Sequence, residues 1–448
     1  MEKEILKQLD TDLLNKDFKD IKFILDTHNE VDVADFLSEL EIKDTVIIFR
    51  LLNKDMAADV FAYLEPELQQ HIINAMTDDE LSAVIKELFA DQVVDLVGEL
   101  PAGVAQRVLR NVPGEKRAMV NRFLKYPDNS AGSIMTGELV HLKKKMSVKE
   151  ALERVRGSGI DDEIIYTNYV TDERRHLEGV VHVKDLLMAE DSEPVEEIMI
   201  TDYICTTTMT DKEDVAKLFS KYDLLNIPVI DEEGLLVGVV RVEDAVDVIS
   251  EEATEDFELM AAMSPSEKPY LQTGVFTLAK NRIVWLLLLM VSAAISGSIL
   301  SRYEATFAAY PLLVTFIPML SDTGGNAGSQ TSTLIIRGMS LDEIKFSDFF
   351  KVFFKEFGVS VIAGGILALV NFVRIMIFNP GNTLIALIVS LSLVFTVMLS
   401  KLIAVIMPML AKQLGMDPAI MAAPLITTVV DALSLVVYFG VARGFLVF

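Results

Sequence analysis

Asp431 is the one carboxylate in the middle of the apolar run PLITTVVDALSLVVYF, and its chemistry sets the first question about this sequence. A charge at membrane depth is costly, so such a residue packs as a neutral or paired group, or it faces water. The first alternative makes Asp431 a helix-packing residue. The second makes it a carboxylate on a wet path, attracting a hydrated divalent cation. Asp322 poses the same question beside TGGNAGSQTST, whose small residues let backbones approach and whose Asn, Ser, Thr and Gln side chains offer oxygens. Lys401, the third ionisable residue of the apolar stretches, is expected to snorkel toward the cytoplasmic end of a long helix.

Asp322-Thr323-Gly324 also spells the aspartic-protease tripeptide, with Asp431 as the formal partner of a dyad. Its setting in an apolar helix, rather than on β-structure, argues against proteolysis. None of the five His residues falls in an apolar span, which argues against a His-based transition-metal site there. A second acidic constellation lies before the membrane half, in EDAVDVISEEATEDFELM. Helical spacing puts Asp244, Asp247 and Glu251 on one side, with Glu252, Glu255 and Asp256 at neighbouring i,i+3 and i,i+4 positions. Like charges so placed destabilise an isolated helix. Either water solvates them, or divalent cations bridge them to other acidic surfaces; Mg2+ favours such oxygen ligands.

Five apolar runs near the ~20 residues needed to cross a bilayer supply the elements for the first constellation: 283–301, 307–336, 357–378, 383–411 and 420–441. The second and fourth exceed the minimum, so they tilt or extend beyond the hydrocarbon. Pro311, Pro318 and Pro408 lie inside them, which membrane helices tolerate when neighbours satisfy the freed carbonyls. Lys280, Arg282, Arg337, Lys345, Lys351, Lys355 and Lys412 fall on one side and only Arg302, Arg374 and Arg443 on the other. By the positive-inside rule the N-terminus is cytoplasmic and the C-terminus outside.

Composition separates the halves. Of 40 basic and 66 acidic residues, the first 270 positions hold 29 and 58, a net −29, while the remainder is +3. That argues against nucleic acid as a partner and agrees with cations as ligands. The N-terminal MEKEILKQLD lacks the apolar core of a signal peptide. The single Cys205 excludes an intrachain disulfide, which fits a reducing cytosol.

Through residue 126 apolar residues recur at helical spacing, with a loose repeat in VADFLSELE, AADVFAYLEPELQQHIINAM and QVVDLVGELPAGVAQRVLRNV. A small helical superhelix is expected, serviceable also as a plain docking scaffold. After Tyr126-Pro127 two units of about 60 residues follow, in which Leu177–Val181 aligns with Leu236–Val240 and Asp185 with Asp244. This double unit resembles a tandem CBS pair, a regulatory fold that often binds nucleotides or metals.

The order of helical repeat, YPDNSAGSIMT, CBS-like pair, acidic helix and five spans, with PMLSDTGGNAGSQTSTLIIRG and MDPAIMAAPLITTVVD, resembles the MgtE family of magnesium transporters end to end. The fold so implied is a multidomain membrane protein. An all-α superhelical N-terminal domain spans 1–127, and α/β tandem CBS domains span 128–194 and 195–250. An acidic connecting helix and linker span 251–280, the helix beginning near 243, and a five-helix α transmembrane domain spans 281–448. The resemblance implies a homodimer in the cell membrane with one central pore, no enzymatic activity, and Mg2+ as both substrate and regulator. Asp431 matches the family's pore acid. Asp91, Asp211, Glu213, Asp223, Asp244, Asp247, Glu252, Glu255 and Asp256 match its cytosolic sensor carboxylates. Closure by intracellular Mg2+ is the mechanism implied: metal holds opposed acidic surfaces together, and repulsion parts them when Mg2+ falls. Ala423 stands where an asparagine is expected near the pore acid. Leu224 stands where nucleotide-binding relatives would stack an aromatic on adenine, which argues against ATP as a regulator. Transport of Mn2+ or Co2+ as well, or a membrane-anchored CBS scaffold without transport, are the alternatives.

Overall fold

The computed structural model describes residues 1, 3–160, 163–266, 270–271 and 273–446. It divides into two compact units, Met1–Ser250 and Glu251–Phe448.

In the first unit, ten helices precede any strand: α1 (Lys3–Asn15), α2 (Phe18–Leu25), α3 (Glu30–Glu39), α4 (Ile42–Phe49), α5 (Lys54–Tyr63), α6 (Pro66–Ala75), α7 (Asp78–Glu87), α8 (Ala90–Glu99), α9 (Ala102–Asn111) and α10 (Gly114–Phe123). From α3 on, a helix begins every twelve residues. The period comes from one apolar residue that ends each turn in an extended conformation. Leu64, Met76, Leu88, Leu100 and Val112 hold that place and are all buried. Burying each is worth about 1.5–3 kcal/mol. The extended pair stops one helix and starts the next, so α3 packs on α5, α5 on α7 and α7 on α9. The loose repeat of the sequence is therefore a regular superhelix.

Two three-stranded sheets follow, β1 (His141–Leu142), β2 (Thr167–Thr171) and β3 (Leu177–His182), then β4 (Thr206–Thr207), β5 (Asn226–Ile230) and β6 (Leu236–Arg241). Each has one parallel and one antiparallel pairing, and each carries the same register shift, after Val170 and after Val229. The expected alignment of the two units is thus matched residue for residue. Gly238 is required by close approach. A Cβ there would fall 2.7 Å from the Thr136 carbonyl oxygen, and Thr136 and Val239 exchange two 2.8 Å backbone hydrogen bonds. The segment after α10 is thereby bound to the second sheet. Helices α11 (Val148–Arg156) and α12 (Val183–Met188) belong to the first CBS-like unit, with the short α13 (Val195–Ile198) after them. Helix α14 (Lys212–Tyr222) belongs to the second, and α15 (Val242–Met260) follows β6.

The second unit holds α16 (Val275–Ser301), α17 (Glu304–Ala309), α18 (Ile317–Ser340), α19 (Phe349–Phe378), α20 (Thr383–Gln413) and α21 (Ala423–Phe445). Four helical segments among the described residues are long and apolar enough to cross a membrane: Val275–Ser301, Phe346–Phe378, Thr383–Gln413 and Pro418–Phe445. The expected second span, 307–336, is not one helix. It is broken into α17, a 3-10 turn at Pro311–Phe316 and α18, with Pro311 and Pro318 each in the first turn of its piece. Proline lacks an N–H to continue a helix but fits a first turn. Helix α18 packs on both α20 and α21.

The glycines of α18 explain that packing. A Cβ on Gly324 would lie 2.7 Å from Thr396, one on Gly325 2.9 Å from Thr427, and one on Gly328 2.5 Å from Ser400 and 2.8 Å from Ile426. Gly328→Val is expected to force α18 from its neighbours at a cost of about 1–3 kcal/mol. Gly358→Val in α19, where nothing lies within 4 Å of an added Cβ, should leave the melting temperature in detergent nearly unchanged.

Candidate functional site

In the membrane unit, packing turns one side of α18 inward and leaves another open. Gly324, Gly325, Ala327, Gly328, Thr331 and Ser332 are buried, whereas Asp322, Asn326 and Gln330, spaced by four, are exposed. Asp431 on α21 is half-buried, with Ser321 and Asp322 as the polar neighbours of its carboxylate. Ser434 Oγ, one turn on, donates to the Asp431 carbonyl at 2.9 Å. The structure therefore brings the two acids of the sequence reading together at an open polar strip, with Asn326 and Gln330 further along it. In the TGGNAGSQTST run the small residues lie on the packed side of the helix and the two amide side chains on the open side. Ala423 is the first residue of α21, and its carbonyl accepts from Thr427 Oγ1 at 2.6 Å.

Lys401 does not snorkel. It is 6% exposed, and its Nζ donates to Thr331 Oγ1 at 2.9 Å and meets Glu356 Oε2 at 3.4 Å. Thr331 Oγ1 donates to the same Glu356 oxygen at 2.9 Å. A carboxylate from α19 neutralises the ammonium inside the bundle, so the chain has no reason to reach for the interface. Glu356 was missed because it sits one residue before the expected third span.

In the soluble unit, two expected sensor acids meet, and an arginine joins them. Arg241, 9% exposed at the end of β6, grips Asp244 with Nε to Oδ2 at 2.9 Å and Nη2 to Oδ1 at 2.9 Å. The same Nη2 lies 3.4 Å from Asp91 Oδ2, and Nη1 lies 2.5 Å from Glu243 Oε1. The guanidinium also covers the Phe89 ring at 5.3 Å. One cation thus ties α8 of the helical domain to the start of α15. Asp91 is 4% exposed, and its other oxygen, Oδ1, is buried without a hydrogen-bond partner. Burial pushes its carboxyl up to about 6; Arg241 opposes the rise and Asp244 adds to it. No sequence pattern singled out Arg241, although its place next to Glu243 and Asp244 in RVEDAVD is a local charge signal.

Three of the remaining expected acids lie on or beside α14 and also make local contacts. Asp211 caps α14 by accepting from the Glu213 N–H at 2.9 Å, Glu213 pairs with Lys217 at 2.9 Å, and Asp223 ends that helix in a left-handed conformation. Asp247 and Glu255 are exposed on α15, and Glu252 and Asp256 are half-buried. Among the described residues no three His, Cys, Asp or Glu converge to hold a metal ion. The half-satisfied Asp91 carboxylate does fit a hard cation, which favours oxygen ligands. Within the second unit, the end of α15 is anchored. Leu259 packs in one apolar cluster with Ile336 of α18 and with Ala419 and Ala422, at the entrance to the helix bearing Asp431.

Comparison with known proteins places each region. The family model described as a divalent cation transporter matches residues 317–441, the MgtE intracellular N domain matches 28–129, and the CBS domain matches 131–192 and 195–251. The chain is 34% identical to the magnesium transporter MgtE of Thermus thermophilus over 447 residues, 99% of both chains. It is 31% identical to that of Bacillus subtilis over 96% of this chain and 94% of the relative. The solved cytosolic domain of the Mg2+ channel MgtE in complex with ATP superposes with a TM-score of 0.52 at 32% identity, covering 54% of this chain and 99% of that one. The soluble part of a magnesium transporter gives 0.53 at 28% identity, covering 56% and 98%.

Replacing Arg241 by Met leaves Asp91, Asp244 and Glu243 facing each other without this cation. Breaking a buried pair on one side costs roughly 3–5 kcal/mol, so a large drop in thermal stability of the soluble half is expected. Adding Asp91→Asn and Asp244→Asn to that variant should recover much of the loss. The Asp91 carboxyl also carries a pH signature. Its folded value near 6 lies above the 3.8 of an unperturbed aspartate, so the native state binds the extra proton and its stability falls as pH rises through that window. The stability of the wild type relative to Asp91→Asn should therefore improve as pH is lowered from 7 to 5, read from paired melts.

Proposed function

The chain belongs to the MgtE family of magnesium transporters, and on that premise we propose that it is a Mg2+-selective channel. It admits Mg2+ down its electrochemical gradient and is closed by cytosolic Mg2+. It has no catalytic chemistry to perform. The observation that carries the reading is that Asp431 has the Ser321 hydroxyl and the charge of Asp322 as neighbours at the open polar strip of α18. Mg2+ parts reluctantly with its water, so a path for it needs oxygens that accept hydrogen bonds from bound waters, plus a negative charge that makes entry favourable. Asp431 and Asp322 supply the charge, and Asn326 and Gln330 supply neutral oxygens.

An exposed polar strip cannot face lipid, since charge in hydrocarbon is costly. A second copy of the chain, its strip set opposite, would enclose a wet path between them, and a homodimer in the cell membrane is the assembly proposed. The basic residues at the helix ends orient it with the N-terminus in the cytoplasm and the C-terminus outside. Asp91, Asp211, Glu213, Asp223, Asp244, Asp247, Glu252, Glu255 and Asp256 are the proposed sensor. Since no three of them converge within one described chain, ligands from two surfaces or two protomers would share each ion. Leu224 packs against the core of the soluble unit and offers no ring for a purine, so ATP is not proposed as a regulator. The match to a divalent cation transporter model keeps Mn2+ and Co2+ as competing substrates.

Uptake into liposomes by purified protein tests the transport reading. Asp431→Asn and Asp431→Ala should each lower Mg2+ flux at least tenfold with the dimer intact; wild-type flux from either would remove Asp431 from the path. Excess Mn2+ or Co2+ that halts Mg2+ entry and itself accumulates would establish the broader substrate range. The sensor is tested separately. Millimolar Mg2+ should protect residues 1–270 from protease beyond Na+ of equal ionic strength, by binding the closed arrangement more tightly. Equal protection by the two salts would reduce the effect to screening. Neutralising Asp244, Asp247, Glu252 and Glu255 together should flatten the inhibition of channel currents by cytosolic Mg2+, whether the variant rests open or closed.

A further inference from the structure

The first 270 residues carry a net −29, yet one cavity in the soluble unit is lined by cations. It has a volume of about 630 Å3 and lies beside β1 and the tip of the β2–β3 hairpin, with His141, Lys143, Arg154, Arg175 and Thr171 in its wall. Met119 of α10 closes one side. We propose that this cavity binds a small phosphorylated anion, one bearing a chain of at least two phosphates. The proposal is independent of the transport reading.

Two observations point to a ligand rather than to a solvated basic patch. Thr171 is 1% exposed, and its Oγ1 has no hydrogen-bond partner; His141 Nδ1 is likewise buried and unpartnered. Buried polar atoms are rarely left so, because each forfeits a hydrogen bond it had in water. Both can donate to an anionic oxygen, the hydroxyl directly and the imidazole through Nδ1–H. The cations are set rather than loose. Lys143 Nζ donates to the Asp172 carbonyl, and Arg175 Nη2 donates to the Leu236 carbonyl at 3.2 Å. Those single bonds leave further N–H donors on each group.

The nearby carboxylates do not neutralise the site. Glu138, also in the wall, lies 3.4 Å from Lys116 Nζ, and the Asp172 carboxylate is taken by His176 Nδ1 at 2.8 Å. Burial together with Arg175, Arg154 and Lys143 pushes the His141 imidazole down to about 4. An anion among those cations would reverse the push. Neither Asp185, at the start of α12, nor Leu224 is in the wall, so this is not the cleft where an adenine-stacking aromatic was expected. The volume falls in the range of about 300–1,000 Å3 typical of small-molecule sites. Three cations, Lys143, Arg154 and Arg175, exceed what one phosphate of charge about −2 would need.

Isothermal titration of the full-length protein in detergent and EDTA, with pyrophosphate and with ADP, tests the proposal against sulfate at matched ionic strength. Saturable binding of both phosphate compounds and none of sulfate is expected. Tighter ADP would show that the cavity also holds a nucleoside, and equal affinity that the phosphate chain alone is read; either supports the site. Arg154→Gln and Lys143→Gln should each weaken binding about tenfold, the loss of one charge-assisted hydrogen bond of roughly 1.4 kcal/mol. Arg154 is exposed, so its variant should melt as the wild type does. Thr171→Val should weaken binding severalfold. Asp185→Ala should leave it unchanged. Absence of saturable binding to the wild type would overturn the proposal, as would binding that survives both cation variants. Binding lost in Asp185→Ala but kept in Arg154→Gln would move the anion elsewhere and overturn it equally.

Discussion

Charge removed from water must find a partner or find water again, and that constraint sorts the polar residues of the membrane unit into two groups. Lys401, Glu356 and Thr331 satisfy one another across α18, α19 and α20. Asp431 has instead the Ser321 hydroxyl and the charge of Asp322 as its neighbours. The same helix, α18, serves both groups, because its glycines bring it close enough to α20 for Thr331 to be buried while Asp322, Asn326 and Gln330 stay outside. Packing and polarity are therefore one design. Without the close approach of Gly324 and Gly328, the buried triad would open and the exposed strip would lose its rigid support.

The soluble unit obeys the same rule under a heavier load of negative charge. Most of its carboxylates are at the surface, where water screens them. The exception is the junction of α8 with β6 and α15, where Asp91 and Asp244 lose solvent and Arg241 supplies the missing cation. The arginine is committed first to Asp244, through two 2.9 Å bonds, and only secondarily to Asp91 at 3.4 Å. That asymmetry explains why the Asp91 carboxyl is still pushed upward. In the proposed sensor, a divalent ion reaching Asp91 would meet a carboxylate only half occupied, beside a guanidinium that repels it. Affinity there would rest on how far the side chain of Arg241 can swing toward Glu243.

The architecture was legible in the sequence wherever a period was long and regular. The paired CBS-like units declared themselves through Gly179 and Gly238, because the same close approach forces the same residue twice. The apolar runs around Asp431 and Lys401 were legible because hydrocarbon tolerates so few alternatives. The second span reads in the sequence as one apolar run, because membrane helices tolerate internal prolines, whereas in the structure Pro311 and Pro318 each start a new segment. The partner of Lys401 was hidden because Glu356 lies in sequence with the charged residues Lys351 and Lys355 and looks like a helix end. Arg241 was hidden for a different reason. Of its three carboxylates Asp244 and Glu243 are close in sequence, but Asp91 is 150 residues away and nothing local announces it. The cavity of Lys143, Arg154 and Arg175 was likewise beyond reach, because its three cations come from the end of β1, α11 and a hairpin tip that only the fold assembles.

In the proposed mechanism, the action of the sensor on the pore is narrowed by one contact. Leu259, near the last turn of α15, shares an apolar cluster with Ile336 near the C-terminal end of α18 and with Ala419 and Ala422 before α21. Those are the two helices that carry Asp322 and Asp431. A shift of α15 by even a fraction of a turn must either drag these residues along or expose Leu259, whose burial is worth about 2 kcal/mol. A coupling of that size amounts to a population shift of roughly thirtyfold. One side chain is thus enough to bias a channel in the proposed mechanism, though not to lock it. The many acids along α15 would then serve to multiply a modest mechanical bias by the number of ions that bind only one arrangement.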